Sequence, residues 1–426
     1  MREKLSSRIG FLMLAAGCAV GLGNVWRFPF IAGENGGAVF VLVYLAFLLL
    51  FGLPVLLAEL SVGRGGQSGI ATAMRSLGGK WWGRIGTLLF SGNLLLMVYY
   101  TDVGGWLLIF TKDYALSGAP PVFSELVADR WTCLMGMLAA VAAATAVCAV
   151  GVKNGVERIT KWMMISLLAL MAVLAVKSLM LPGAGEGLAF YLKPDWTKLL
   201  ANPGKVVLNA MGQAFFTLSV GVGAMTIFGS YVDKRESLVK EAMWIVLIDT
   251  FVALSAGLVI FPACMTYDVA VNAGPGLIFE ALPKVFSEMP GGRYWGFAFF
   301  LFLSLAALTT VIAVFECLIG GILDITRRSR LSISVMVGVA VAVLSLPCVC
   351  VSGVLEIEDF IFSKFFLPLG GFAISLFVSC RIGWGWENFR AEASEGAGVA
   401  LPRWTVVLFR YLVPAMIIFV MIAGQG

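Results

Sequence analysis

The sequence predicts an all-α polytopic membrane protein, and three observations carry that prediction. Of the 426 residues, 60% are hydrophobic and only 13% charged, against roughly 45–50% and about 25% in ordinary soluble domains. Apolar runs recur from end to end at the length needed to cross a bilayer, about 20 residues of helix for about 30 Å of hydrocarbon. The runs are continuous, whereas a membrane β-barrel would show alternating segments of about 10 residues.

Eleven spans are expected, taken in order at roughly 9–33, 38–63, 85–111, 131–150, 157–181, 205–231, 239–267, 293–325, 332–352, 357–380 and 404–424. The first is too long and too polar, with Asn24 and Arg27, for a removable signal peptide, and no small-residue cleavage site follows it. "ENGG" (34–37) and "RGGQSG" (64–69) bracket the second span. "LPGAGEG" (181–187) ends the fifth, and "NAGPG" (272–276) and "MPGGR" (289–293) precede the eighth. Such glycine- and proline-rich clusters break helices and mark turns.

Basic residues set the orientation. They gather in alternate connections: Arg2, Lys4 and Arg8; Arg64, Arg75, Lys80 and Arg84; Lys153, Arg158 and Lys161; Lys234, Arg235 and Lys240; Arg327, Arg328 and Arg330; Arg381, Arg390 and Arg403. Cytoplasmic loops are the ones enriched in Lys and Arg. The chain is therefore expected in the plasma (inner) membrane with its N-terminus cytoplasmic and its C-terminus outside. The net charge of +5 follows from this bias and calls for no nucleic-acid partner. The eight cysteines are scattered, and there is no histidine. That pattern gives no disulfide framework, no zinc site and no histidine proton relay.

Two spans carry an interruption of the same kind. The first contains "VGLG" (Val20 to Gly23) followed by Asn24; the sixth contains "VGVG" (Val220 to Gly223) after Thr217 and Ser219. One such motif alone reads equally well as a kink or a close helix contact. Two, each opening a block of five spans, point to an inverted repeat with a binding site at its centre. Unwound backbone is tolerated at membrane depth only where it lines a protein-enclosed cavity. Repeat one is expected at about 9–181, repeat two at about 205–380, and an additional helix at about 404–424, all in one transmembrane domain.

The segments "GCAVGLGNVWRFPF", "GQAFFTLSVGVGA" and "LAALTTVIAVFE" resemble the neurotransmitter:sodium symporter family, in its bacterial, eleven-helix form. The resemblance implies two sodium sites. One uses Ala19, Asn24, Thr217 and Asp249 with the substrate carboxylate; the other uses Gly17, Val20, Ala306, Thr309 and Thr310. All-oxygen donor sets suit a hard cation. The resemblance also places the substrate among Ala19, Gly21, Leu22, Gly23, Leu96, Tyr100, Phe216, Thr217, Ser219, Val222, Thr310 and Val314. Gly21, where amine-carrying relatives have Asp, leaves room for a free carboxylate. The apolar surround favours a hydrophobic, even aromatic, amino acid, since a charged side chain there would be costly to bury. Asp249, where many relatives have Asn, together with Ala253, predicts chloride independence.

Arg27 and Asp359 are expected as an outer ionic gate with Phe216 as a lid, and Arg2 and Asp324 as an inner latch beside Tyr231. Glu59 is expected to accept bonds from the unwound amides of the sixth span, and Glu316 to brace the cytoplasmic half. The expected function is sodium-coupled amino-acid symport by alternating access. The partners are then a small amino-acid substrate and membrane lipid, with sodium as the required ion. The alternatives are a channel and a substrate-binding sensor of the same fold. No nucleophile–base constellation suggests an enzyme. Asp102 has no assigned role, and the oligomeric state is open.

Overall fold

A computed structural model describes residues 5–269, 276–396 and 398–423 of the chain, so Arg2 of the expected inner latch and most of the "NAGPG" turn lie outside the described residues. All regular secondary structure among the described residues is helical, with no strand. Among the described residues nine helices are long and apolar enough to cross a membrane: Ala38–Gly66, Lys80–Leu116, Arg130–Val150, Val152–Leu179, Leu238–Thr266, Gly292–Leu323, Arg330–Cys350, Val354–Ser379 and Arg403–Ile422. The first span is a tenth crossing made of two pieces, Arg8–Ala19 and Gly23–Glu34, bent by 55°. The sixth consists of Pro203–Thr217 and Ala224–Gly229, separated by six non-helical residues. Among the described residues ten crossings are thus long and apolar enough, and the expected sixth is present as two pieces too short to count by that measure. The segments lie within a few residues of their expected places except the third, which extends further at both ends.

Local chemistry accounts for the helix limits. Ser7, Asp129, Ser237 and Ser329 each cap a span by accepting a hydrogen bond from an amide in its first turn, which satisfies donors that have no intrahelical partner. The helical turn immediately before Pro29, Pro54, Pro283, Pro368 and Pro414 is widened to π geometry. Proline lacks an N–H and its ring crowds the carbonyl four residues back, so a wider turn relieves the clash without ending the helix.

The spans close on one another where side chains are absent. A Cβ on Gly63 would lie 1.8 Å from the Thr226 carbonyl oxygen, and one on Gly229 would lie 2.2 Å from that of Leu60. The second span and the short half of the sixth are therefore in backbone contact. Gly17 of the first span sits against Thr160 of the fifth and Thr309 of the eighth. The third and eighth spans run along one another. This packing sets both helix breaks at the centre of the molecule, facing the third and eighth spans. Short helices outside the spans, such as Ile70–Gly78 and Trp386–Ala393, were not expected from the apolar pattern.

Candidate substrate and cation site

The break in the first span exposes backbone groups to three side chains. The Leu22 amide donates to the Tyr100 hydroxyl at 3.0 Å, and the Gly21 amide points to the Asn24 side-chain oxygen at 3.4 Å. Gln213 of the sixth span donates its side-chain amide to the Gly23 carbonyl at 2.9 Å. The two breaks are joined directly, because the Ser219 hydroxyl donates to the Cys18 carbonyl at 3.1 Å.

Asp249 stands beside this junction and is fully buried. Its carboxylate accepts from the Asn24 amide at 2.8 Å and from the Thr217 hydroxyl at 3.0 Å. Both partners are neutral. A buried carboxylate supported only by neutral donors is electrostatically incomplete and favours a cation. The donor set fits sodium: a carboxylate, an amide oxygen, a hydroxyl and nearby main-chain carbonyls, all hard oxygen ligands.

A second cluster of oxygens forms where the first span crosses the eighth. The Thr310 hydroxyl lies 3.2 Å from the Gly17 carbonyl oxygen, 3.4 Å from that of Val20 and 3.3 Å from that of Ala306. Thr309 donates to the Ala306 carbonyl at 2.9 Å. All five residues expected here come together, although the two segments are about 290 residues apart in the chain. Within a single helix, Thr310 would serve only the carbonyl one turn earlier. Its additional contacts with Gly17 and Val20 come from tertiary packing.

Between the two oxygen clusters lies a cavity lined by Ala19, Gly21, Gly23, Leu96, Tyr100, Phe216, Ser219, Thr310 and Phe362. Gly21 creates part of this space: a Cβ there would sit 2.7 Å from the Tyr100 hydroxyl and 2.8 Å from that of Thr310. A Cβ on Gly23 would meet the Phe216 ring at 2.8 Å. Bare backbone at these positions lets a ligand group reach the amides.

The expected residues do not all take the expected places. Of the twelve residues expected around the substrate, Leu22, Thr217, Val222 and Val314 are buried behind the cavity wall rather than in it. A Cβ on Gly92 of the third span would meet the Val222 side chain at 2.8 Å, so that valine packs against the third span. Phe362 takes a place in the wall instead, from the π turn ahead of Pro368. Arg27 and Asp359 make no direct ion pair among the described residues. The Arg27 guanidinium lies over the Phe216 ring at 4.3 Å, while Asp359 accepts from Ser363 at 3.1 Å. A guanidinium stacks on an aromatic face as well as pairing with carboxylates.

At the other end, Asp324 accepts from the Gly69 amide at 2.7 Å. Tyr231 donates to Glu316 at 2.6 Å, and Glu316 also pairs with Arg330. Glu316 thus braces the sixth, eighth and ninth spans. Glu59 behaves as expected: it accepts from the amides of Gly221 at 2.6 Å, Gly223 at 3.3 Å and Met225 at 3.0 Å. Asp102 is buried, and its Oδ1 has no hydrogen-bond partner among the described residues.

Two broken helices meeting around oxygen-only donor sets define a class, the inverted-repeat membrane transporters. The chain belongs to the Sodium:neurotransmitter symporter family, which it matches over residues 2–117 and 124–425. It is 34% identical to an uncharacterized sodium-dependent transporter of Bacillus subtilis over 97% of this chain and 96% of that one. It is 28% identical to the sodium-dependent serotonin transporter of Drosophila melanogaster over 76% of this chain and 60% of that one. Among solved structures, that of MhsT in complex with L-phenylalanine resembles it with a TM-score of 0.87 and 36% identity, covering 99% of this chain and 100% of that one. The protein is a sodium-dependent, multi-pass membrane transporter of a small molecule and not an enzyme.

Proposed function

We propose that the protein is a symporter coupling sodium to a hydrophobic amino acid, with aromatic side chains accepted and no chloride required. The observation that carries this reading is the junction at the first break. There the buried Asp249 carboxylate, Asn24 and Thr217 stand next to a side-chain-free cradle at Gly21, closed by the Tyr100 hydroxyl. A substrate carboxylate in that cradle accepts from the Leu22 and Gly23 amides and from Tyr100, and completes the shell of the first sodium. Each ligand then raises the affinity of the other by the same factor. The cluster at Gly17, Val20, Ala306, Thr309 and Thr310 holds a second sodium between the first and eighth spans, where it ties their relative position to occupancy.

The side chain of the substrate lies among Leu96, Phe216 and Phe362, and none of the residues lining the cavity carries a charge. The similarity to a protein solved with L-phenylalanine supports the aromatic part of the reading. Asp249 supplies next to the first sodium the negative charge that an anion would otherwise bring, and Ala253 offers no hydroxyl to hold one. In alternating access, Arg27 and Phe216 close the outer mouth over the bound substrate, and the groups around Asp324 release the inner one. The basic connections support an inner mouth at the cytoplasmic face and a C-terminus outside.

The test is uptake by the purified protein in proteoliposomes, driven by an inward sodium gradient and screened by competition with all twenty amino acids. Phenylalanine, tryptophan, leucine or tyrosine should compete best, and uptake should persist with gluconate in place of chloride. Preference for glycine or glutamate, or a strict chloride requirement, overturns the assignment.

A further inference from the structure

Apart from the transport site, the end of the tenth span, the short helix Trp386–Ala393 and the start of the eleventh span line a cavity of about 600 Å³. Its wall includes three arginines, Arg381, Arg403 and Arg410, and one carboxylate, Glu387. Arg381 and Arg403 are exposed and form no ion pair among the described residues. Three arginines against one carboxylate leave the wall net positive, which attracts an anion.

Arg410 makes the feature more than a surface cluster. It lies seven residues into the span Arg403–Ile422, roughly 10 Å along the helix at about 1.5 Å per residue. An arginine at that depth is costly and marks a functional position by default. Its Nε donates to the Ser379 carbonyl at 3.1 Å and one terminal nitrogen donates to the same oxygen. Ser379 ends the tenth-span helix, so this bond serves a carbonyl left over by the helix and holds the guanidinium in place. The remaining terminal nitrogen is left for a ligand. Guanidinium groups bind phosphate through paired, charge-assisted hydrogen bonds.

The flanks of the cavity indicate what carries the phosphate. Ile382, Trp404, Val407 and Tyr411 are exposed at 76%, 65%, 54% and 63%, an apolar and aromatic border suited to acyl chains and the bilayer boundary. The location indicates the leaflet. Arg64 donates to the Glu236 carbonyl and pairs with Glu392, and Lys234 pairs with Glu395. The helix Trp386–Ala393 is therefore held at the end of the molecule that carries the basic connections, where the bilayer is rich in anionic lipid.

We propose that the cavity of Arg381, Arg403 and Arg410 binds the phosphate headgroup of an anionic phospholipid of the cytoplasmic leaflet. The inference stands independently of which substrate is transported.

The full-length protein in neutral detergent is titrated with dihexanoylphosphatidylglycerol, dihexanoylphosphatidylcholine or inorganic phosphate, following tryptophan fluorescence, to which Trp384 and Trp386 of the cavity wall contribute. Saturable binding of the anionic lipid is expected at about tenfold or greater preference over the zwitterionic one. The double substitution R381Q/R403Q, at two exposed positions that do not burden folding, should weaken it at least tenfold, whereas R75Q should leave it unchanged. Equal binding of the two lipids, or binding indifferent to the double substitution, overturns the proposal. Displacement of the lipid by an equal concentration of inorganic phosphate identifies a free-anion site and overturns it as well.

Discussion

The two helix breaks share a sequence signature and do different work. In the first span the break is three residues long, Val20–Leu22, and a π turn restarts the helix at once. Its amides and carbonyls remain turned to Tyr100, Asn24 and Thr310 at the central cavity. In the sixth span the break is twice as long, and Ser219, Gly221 and Gly223 adopt positive φ. The freed amides there are taken by one buried carboxylate, Glu59. Unwinding in the first span thus makes a binding surface, while in the sixth it is paid off internally, leaving Thr217, Phe216 and Ser219 as the site's contribution. Similar glycine spacing therefore does not assign similar chemistry.

The difference can be broken by substitution. The largest effect is expected from Asp249→Ala, which removes the only charge of the first-break cluster. Sodium-driven uptake should fall by about a hundredfold or more, since the carboxylate serves sodium and substrate together; uptake within a fewfold of the parent would refute its role. Next, Glu59→Gln keeps the size but sets an amide NH₂ against the amides of the sixth break. Each donor left unpaired in the interior costs about 1–3 kcal/mol, so thermal unfolding in detergent should move down by many degrees. An unchanged midpoint would show that the sixth break does not depend on this carboxylate.

A pair of glycine substitutions sharpens the contrast. Gly21→Ala puts a methyl 2.7 Å from the Tyr100 hydroxyl in the substrate cradle. It should raise KM about tenfold or more with little change in thermal stability, the signature of lost binding. Gly221→Ala, by contrast, puts a methyl 2.3 Å from the Leu367 carbonyl oxygen at a φ of +106°. It should lower stability and expression first. The opposite assignment of effects would mean that the roles of the two breaks are reversed. The smallest effect is expected from Phe362→Ala, a shift of roughly three- to tenfold in the relative KM for phenylalanine and leucine, as befits the loss of one apolar wall. Unchanged selectivity would place the substrate side chain elsewhere.

Much of this was legible in the sequence because polar residues in apolar runs are expensive. Asn24, Glu59, Thr217, Asp249, Thr309 and Thr310 stand out against hydrocarbon, and each proved to have a buried oxygen or nitrogen partner. Apolar wall residues carry no such contrast. Phe362 in "EDFIFSKFF" looks like any lipid-facing phenylalanine, and Val222 looked as good a wall residue as Ser219. Only the packing of the tenth span turned Phe362 toward the cavity and the third span drew Val222 away. The separation of Arg27 from Asp359 was equally hidden, because a guanidinium has two kinds of partner within reach and sequence does not choose between them.

The sequence by itself determined where helices cross the bilayer and where two of them stop. Both follow from the cost of placing polar groups and unpaired backbone in hydrocarbon, which every residue reports locally. Only the tertiary structure decided which oxygens meet. Asn24 reaches Asp249 across 225 residues of chain, and Thr310 reaches Gly17 across 293. Hydrogen bonds and cation shells tolerate errors of a few tenths of an ångström, a precision set by how whole helices pack rather than by any pattern along one of them.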